Sequence, residues 1–529
     1  MSESASEQLR ICVSFSGGAS LGAYEAGAFA ALLTGVGRVE AERPGSIVIN
    51  AVGGASAGSL VGLLGAYAQL QGLDALDFLY EGWVERVDLE VMRRKAGEGL
   101  LSFDQLREDI IDFLCSSEGS STPHQPSPLG LHIALTGLQG LTYSVRPLRG
   151  ATSFSALTYS DWGRFMLEPG AGPRPILEPE GAAPLDFVLA SASHPGAFRP
   201  ALVSRRGEED VYRSLGIENF PDSSYLWYTD GGIGQSNPLG RLLSTARWID
   251  GIAANGRPHK RALILIDPRS EDPSGALSWG DPDNSPKWLH GLARALEIMP
   301  TQVVYDDALR TEKANARILW ATRLVDVLSP ELSDAAAAAL RDFLLQVDED
   351  KEGSPKQKVH TSAPESDNAP PADLLRRALE AVSGLGNKEI VDLNVITPRQ
   401  LAEDDDVPHL LSGEFFGDFG GFLQRDIRRS DFLLGYASID AWLPEGLSDV
   451  GFDPEAVRMM SEEITARSPG DWREANMGAA GPASLPWPDR LRLARLLVDA
   501  ARAVAANVVD LSEIRQRLGA RTARLRPGR

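Results

Sequence analysis

Two stretches near the start of the chain share one pattern: an apolar run, a cluster of glycines and a helix-like run of small residues. The first is RICVSFS-GGASLG-AYEAGAFAALLTG (10–35), and the second is SIVINAV-GGASAGS-LVGLLGAYAQL (46–70). Short apolar strands that alternate with helical patterns indicate βαβ units. In such units helices cover both faces of the sheet. The repeated pattern therefore predicts an α/β fold around a parallel or mixed sheet.

Further apolar runs extend this sheet and divide the chain. They predict strands at 130–138, 224–232, 261–268 and 388–398. Residues 348–373 have almost no large apolar side chain and are predicted to be a disordered insertion. The chain reads as helical from about residue 446. We therefore expect one domain over 8–445, with that insertion, and a helical C-terminal region over 446–529.

Composition excludes several functional classes. The chain has 529 residues and a formal net charge of -21, which argues against nucleic-acid binding because phosphate neutralisation needs a basic face. Its two cysteines, Cys12 and Cys115, have no metal-ligand spacing and fit reduced thiols in a cytosolic protein. The N-terminal residues MSESASEQLR are polar and do not resemble a signal peptide. We expect a cytoplasmic protein, with no metal.

The segment VGGASAGSL (52–60) has three possible interpretations: a phosphate-binding loop, the start of a membrane span, or a turn that exposes a serine. A phosphate loop would need a lysine that is missing here. The apolar stretch 51–70 has no Lys or Arg flank, and a β-branched strand leads into it, which argues against a span. Gly54-x-Ser56-x-Gly58 instead has the spacing of a nucleophile elbow between a strand and a helix.

A serine hydroxyl becomes a useful nucleophile only with a base and with donors for the oxyanion. The first glycine cluster can supply donors, through the amides of Gly17, Gly18 and Ala19. Asp230, at the end of the strand in WYTDGG, is the candidate base. Taken alone, an aspartate before two glycines is equally typical of a turn.

In this order, the glycine loop, GASAG and DGG resemble the patatin-like family of lipid acyl hydrolases, and a bacterial patatin-related branch in particular. Supporting segments are DFVLASASHPGAFRP (186–200), YTDGGIGQSNPL (228–239) and FFGDFGGFLQRDIRRSDFLLGYASIDAW (415–442). The resemblance is strong over 10–270 and weaker over 290–445. It implies a three-layer α/β sandwich with a central, mostly parallel sheet, and hydrolysis of fatty-acyl esters through an acyl-enzyme.

The resemblance also implies roles for single residues. Ser56 would be the nucleophile and Asp230 the base of a Ser-Asp dyad, with Gly17, Gly18 and Ala19 as the oxyanion hole and no cofactor. The family's loop usually runs Gly-Gly-Gly-x-Arg/Lys-Gly, whereas this chain has Ala19 and Leu21 at two of those positions. We expect these changes to alter substrate preference. His194 could line the pocket, contact substrate or, in a Ser-His-Asp triad, act as general base.

These observations predict a serine lipid acyl hydrolase of the phospholipase A or lysophospholipase type, acting on a lipid or acyl-ester substrate at a membrane or micelle surface. Residues 72–128 are the expected cover of its site. The alternative is a catalytically weakened relative that binds lipid or serves as a scaffold. Apolar residues among arginines in 490–529 favour a packing helix, with peripheral membrane contact as the other possibility. Head group, sn position and oligomeric state are not set by the sequence.

Overall fold

The computed structural model gives the placement of fifteen segments of the chain, and the structural statements below concern these residues. The described segments are 8–93, 100–117, 124–145, 154–177, 183–195, 197–235, 237–253, 259–269, 309–349, 369–383, 390–402, 410–415, 418–478, 481–482 and 485–508.

Eight strands form one sheet in the order β5-β6-β3-β2-β1-β7-β8, with β4 paired to β3 off this path. In chain order the strands are β1 (Gln8–Phe15), β2 (Ile47–Gly54), β3 (Leu129–Val145), β4 (Phe154–Leu167), β5 (Ala201–Ser204), β6 (Tyr225–Thr229), β7 (His259–Ile266) and β8 (Asp392–Ile396).

The centre of the sheet is parallel and one side of it is antiparallel. Strands β3-β2-β1-β7-β8 pair in parallel, whereas β4 and β6 run antiparallel to β3, and β5 runs antiparallel to β6. The predicted α/β class with a mostly parallel sheet is confirmed. The sequence pattern did not predict β4 and β5, which belong to the antiparallel side.

Helices occupy most of the remaining described chain. They are α1 (Gly22–Glu42), α2 (Ala57–Gln71), α3 (Ala75–Tyr80), which continues into a π-helical turn (Glu81–Glu85), α4 (Leu89–Arg93), α5 (Asp104–Ser116), α6 (Arg174–Leu177), α7 (Pro184–Ser191), α8 (Glu209–Ser214), α9 (Gly231–Gln235), α10 (Leu239–Ala253), α11 (309–328), α12 (Asp334–Glu349), α13 (Pro371–Ser383), α14 (Arg425–Asp449), α15 (Pro454–Ala466), α16 (Trp472–Ala475) and α17 (Trp487–Val508).

Both faces of the sheet are buried, which produces the layered sandwich. Alternate side chains of β1 point to opposite faces. Ile11 and Val13 join the large core formed with α1 and α2, whereas Cys12 joins a second core formed with α10. Strand residues buried on both sides explain why the central strands appear in the sequence as continuous apolar runs.

Helix α1 lies inside the protein rather than on its surface. The sheet is on one side of it, and α14 and α15 pack on the other. Residues 19–42 are long and apolar enough to cross a membrane. However, 94% of their most apolar 18-residue stretch is buried inside the protein, as in the core helix of a soluble protein. The stretch 51–70, weighed above as a span, divides between β2 and the buried helix α2.

The C-terminal half is joined to this core. Strand β8 pairs in parallel with β7, so the strand predicted near 388–398 is confirmed and the sheet resumes after the predicted insertion. Most of that insertion, 350–368, lies outside the described residues, while its ends belong to α12 and α13. The domain boundary predicted after residue 445 falls inside α14, which continues to Asp449.

Candidate active site

Ser56 lies on a sharp turn between β2 and α2, with backbone angles of φ 53° and ψ -131°. A positive φ is strained for a residue with a side chain, and such strain is common at functional sites. The flanking glycines allow the turn to pack closely. A Cβ on Gly58 would lie 2.5 Å from the Cβ of Phe15, and one on Gly54 would lie 2.9 Å from its carbonyl oxygen. Close packing therefore explains why both glycine positions of the Gly-x-Ser-x-Gly motif lack a side chain.

Asp230 reaches the serine directly. The Ser56 hydroxyl donates a hydrogen bond of 2.7 Å to Oδ2 of Asp230, and the Gly232 amide donates to Oδ1 at 2.8 Å. Asp230 is buried, and burial raises the pKa of its carboxyl group, an effect opposed first by the hydrogen bond from Ser56 and then by the charge of His194. Two side chains 174 residues apart in sequence thus form one polar pair.

A serine that the sequence analysis did not single out holds this pair in place. The Ser191 hydroxyl accepts a hydrogen bond from the Ser56 amide at 2.9 Å and donates to the Ala134 carbonyl at 2.7 Å. A Cβ on Gly231 would lie 2.7 Å from the same Ser191 oxygen. Ser191 therefore connects β3, the serine turn and the Asp-Gly-Gly turn. The only sequence signal for it was its position in the segment 186–200.

The glycine loop packs against the serine turn, but its three amides are not equivalent. The Gly17 amide donates a 2.7 Å hydrogen bond to Oε1 of Glu25, a residue of α1. Gly18 and Ala19 line the cavity around Ser56, and neither amide has an acceptor among the described residues. From the sequence, Gly17 was expected to contribute to the oxyanion hole; because its amide donates to Glu25, only the Gly18 and Ala19 amides remain as candidate donors.

Glu25 is a fully buried carboxyl group directly behind this loop. Burial raises its pKa to about 8, the hydrogen bond from the Gly17 amide opposes the rise, and the charge of Asp267 adds to it. A Cβ on Gly58 would lie 3.1 Å from Oε2 of Glu25, so the carboxyl group contacts both the glycine loop and the serine turn.

A cavity of about 430 Å³ opens above Ser56 and Asp230. Phe103 and Phe198 stack in its wall, with ring centroids 3.9 Å apart. Trp83, Met92 and Phe103 come from the stretch 72–128 that was expected to cover the site. The described lining is mainly apolar, and the hydrogen-bonded pair Ser56 and Asp230 is among its polar groups. Such a cavity suits an acyl chain whose reacting group lies at the polar end.

Another part of the wall comes from the C-terminal half. Asp418, Phe419 and Phe422 line the same cavity, although they are nearly 400 residues away from the glycine loop in sequence. Ser20 attaches this segment to the loop. Its amide and hydroxyl donate to the Asp418 carbonyl at 2.8 and 2.6 Å, and its hydroxyl accepts from the Gly421 amide at 2.9 Å.

Leu21 and His194 have different surroundings in the structure. Leu21, at the position where the family usually has a basic residue, is fully buried and packs beneath Gly18. His194 is exposed at the cavity, with its ring 5.8 Å from that of Phe419. Because Ser56 donates directly to Asp230, no imidazole separates the two side chains. The pocket-lining interpretation of His194 fits this geometry.

One cation of the cavity was not identified from the sequence. Arg269 lines the cavity from the turn that follows β7, and its Nη2 lies 3.7 Å from Oδ2 of Asp418. The sequence shows Arg269 only as part of the run IDPRS after an apolar strand, a pattern with no catalytic motif. No group of three or more His, Cys, Asp or Glu residues that could hold a metal ion occurs within the described part of the chain.

Residues 13–243 match the family model described as patatin-like phospholipase. The matched stretch includes the glycine loop, the serine turn and the Asp-Gly-Gly turn, and ends within α10. Residues 13–243 are therefore similar to patatin-like phospholipases, and this match supports lipid acyl hydrolase activity in general. The suspected resemblance is confirmed at the level of the family.

The other comparisons add little. The crystal structure of VipD from Legionella pneumophila aligns with 88% of this chain and 93% of its own at 10% sequence identity. Its TM-score of 0.21 is too low for any structural argument. No curated protein sequence matches the chain.

Proposed function

We propose that the protein is a serine lipid acyl hydrolase of the phospholipase A or lysophospholipase type, with Ser56 as nucleophile and Asp230 as base. The observation that carries the proposal is the 2.7 Å hydrogen bond from the Ser56 hydroxyl to Asp230 at the polar end of an apolar cavity. The geometry has a nucleophile and a base within hydrogen-bond reach, as covalent catalysis requires.

In the proposed reaction, Ser56 Oγ attacks the ester carbonyl carbon and its proton passes to Asp230. The raised pKa of the Asp230 carboxyl group makes it a stronger base than an exposed aspartate. The Gly18 and Ala19 amides donate to the developing oxyanion. Collapse of this intermediate breaks the ester bond, and the leaving alcohol takes the proton from Asp230. Water then attacks the acyl carbon with Asp230 again as base. The bond from the acyl group to Ser56 Oγ breaks, the proton returns from Asp230 to Ser56, and the fatty acid leaves, so the cycle needs no cofactor.

The reaction would take place at a lipid surface. Because substrates of this type are held in membranes or micelles, the protein would act as a cytoplasmic enzyme in peripheral contact with a lipid surface. The alternative, a weakened relative that binds lipid without turnover, is favoured by one observation: the Gly17 amide, a donor in the expected oxyanion hole, is bonded to Glu25.

The test is labelling with a fluorophosphonate probe together with hydrolysis of a lysophospholipid. Ser56→Ala should abolish labelling and lower turnover by roughly 10⁴-fold or more, because it removes the nucleophile. Asp230→Asn should lower turnover by roughly 10³-fold or more while keeping the fold. Ser214→Ala, at an exposed serine of α8, is the matched control and should label normally. Labelling that persists in Ser56→Ala would refute the dyad, and native protein that binds lipid but neither labels nor hydrolyses would favour the alternative.

A further inference from the structure

We propose that Arg269 is a phosphate-binding residue of the cavity and that it directs the enzyme to phosphate-bearing lipids, such as lysophospholipids, over neutral acyl glycerols. The inference rests on the proposed function, since it assigns the substrate class of that same site. Three features of the described residues lead to it: the turn that carries Arg269, the lack of another strong cation in the cavity, and the loose pairing of Arg269 with Asp418.

The turn after β7 is fixed next to the glycine loop. Oδ1 of Asp267 accepts hydrogen bonds from the Ser16 hydroxyl at 2.9 Å and from the Arg269 amide at 3.0 Å. Between these two anchors, Pro268 packs against Gly18, with its Cγ 3.7 Å from where a Cβ on that glycine would lie. Arg269 therefore projects from a rigid turn beside the amides assigned to the oxyanion.

Arg269 is the only arginine or lysine among the described residues that line the cavity. The buried Leu21 leaves the glycine loop itself without a cation. In a protein with a net charge of -21, the anionic phosphate of a substrate needs such a local cation in the site.

The partner of Arg269 is placed so that a phosphate can replace it. Asp418 has a positive φ of 67°, and its carbonyl accepts a hydrogen bond from the Ser20 hydroxyl, so its backbone is held in place. The separation of 3.7 Å between Nη2 and Oδ2 is longer than a charge-assisted hydrogen bond, and the Arg269 side chain is 34% exposed. A phosphodiester can accept two parallel hydrogen bonds from a guanidinium group, a stronger arrangement than this pair.

The experiment compares two substrates with the same acyl chain, lysophosphatidylcholine and monoacylglycerol, in neutral detergent micelles. Arg269→Gln should raise KM for the phosphate-bearing substrate about tenfold with kcat nearly unchanged, and should leave the neutral substrate unaffected. Arg269→Lys should restore part of the loss. Asp418→Asn keeps the carbonyl bonded to Ser20, suits a positive φ and releases Arg269, so it should lower KM for the phosphate-bearing substrate.

Arg425→Ala is the matched control, because Arg425 also pairs with a carboxylate, Glu85, but does not line the cavity. Its two KM values should equal those of the native enzyme. An equal loss on both substrates in Arg269→Gln would show a structural role and overturn the proposal. No loss on either substrate would overturn it as well.

A binding measurement separates this proposal from the proposed function. Hexadecylphosphocholine has a phosphodiester but no carboxylic ester that the enzyme could hydrolyse, so its binding to the Ser56→Ala protein needs no catalysis. Introducing Arg269→Gln into that background should weaken binding about tenfold. Unchanged binding would refute the phosphate site even if the dyad proves correct, whereas weakened binding would support it even if the native protein proves inactive.

Discussion

At the scale of single residues, strained backbone conformations gather at one place. Four described residues other than glycine have a positive φ, and three of them, Ala19, Ser56 and Asp418, line the same cavity. Such conformations cost about 1–3 kcal/mol each and persist only where surrounding contacts enforce them. Here those contacts lie within the glycine loop for Ala19, within the serine turn for Ser56, and between Ser20 and the carbonyl for Asp418. The motif around Ser56 predicted a turn at that residue, and Ala19 stands where the family usually has glycine, whereas no motif indicated the positive φ of Asp418.

Glu25→Gln tests how the buried carboxyl group behind the loop responds to pH. An unfolded glutamate titrates near pH 4.3, whereas the folded pKa of Glu25 is about 8. Between these values the folded chain holds a proton that the unfolded chain has lost, so the contribution of Glu25 to the free energy of unfolding falls as pH rises. Glutamine keeps an oxygen acceptor for the Gly17 amide and removes this dependence. The stability of Glu25→Gln relative to native protein should therefore rise from pH 5 to pH 8.

Urea denaturation at several pH values measures this difference. Glu445→Gln, at an exposed position of α14, controls for the loss of one acidic residue. A stability difference between Glu25→Gln and native protein that stays constant from pH 5 to pH 8 would show that Glu25 does not hold its proton in the folded protein.

What the sequence could predict at this scale was limited to residues inside motifs. Ser56 and Asp230 stand in recognisable turns, and the structure brings their side chains together. Ser191 and Arg269 do not stand in such motifs, since each acquires its place only when distant strands pair. The hydrogen bond from the Gly17 amide to Glu25 was not foreseen, because Glu25 lies one helical turn into α1, where the loop pattern gives no indication of it.

At the scale of elements, the sequence pattern predicted six of the eight strands and missed β4 and β5. Strands β1, β2 and β7 contain buried apolar runs and were predicted. Strand β4 alternates apolar and polar residues and has exposed side chains such as Leu157 and Tyr159, and β5 has only four residues. Neither has the continuous apolar run of a central parallel strand, which was the signal used.

The crossing of α1 and α14 gives an element-scale prediction. A Cβ on Gly435 would overlap the carbonyl oxygen of Tyr24, and a Cβ on Gly27 would overlap that of Phe432, so the two backbones are in direct contact. Gly435→Ala should destabilise the protein by about 3 kcal/mol or more, because backbone atoms cannot move aside as a side chain can. Gly37 lies in α1, as Gly27 does, but has open space around it. Gly37→Ala should instead stabilise the protein by about 0.5–1 kcal/mol. Denaturant midpoints measure both, and similar values for the two variants would contradict the close crossing.

At the scale of the whole molecule, the region matched by the family model is not a complete core. The match ends at residue 243, before β7, which pairs with β1 in the middle of the sheet. Helices α14 and α15 cover the side of α1 that faces away from the sheet. The sequence resemblance weakened beyond residue 270, and helical patterns alone could not show which face of α14 is buried. The C-terminal half therefore looked more like an extension in the sequence than it does in the structure.

Truncation after residue 445 tests whether the predicted boundary separates two domains. The shortened chain keeps Ser56, Asp230 and the Ser20 contacts with Asp418, but loses α15. Met460 and Ile464 of that helix are fully buried against Gly35 of α1, and the Tyr436 hydroxyl donates to the Ile464 carbonyl at 2.9 Å. Loss of two large buried side chains should lower the free energy of unfolding by roughly 5 kcal/mol or more.

A chain ending at residue 508, which retains every described element, is the control and should match the full-length protein in denaturant midpoint and in fluorophosphonate labelling. The chain ending at 445 should unfold at a lower denaturant concentration, and its labelling should be lost at temperatures where the control still labels. Equal midpoints for the two chains would mean that α15 is an appendage and that the boundary near 445 is real. The contacts of α15 with α1 predict the opposite, because a helix whose apolar side chains complete the cover of a central core helix belongs to the same cooperative unit.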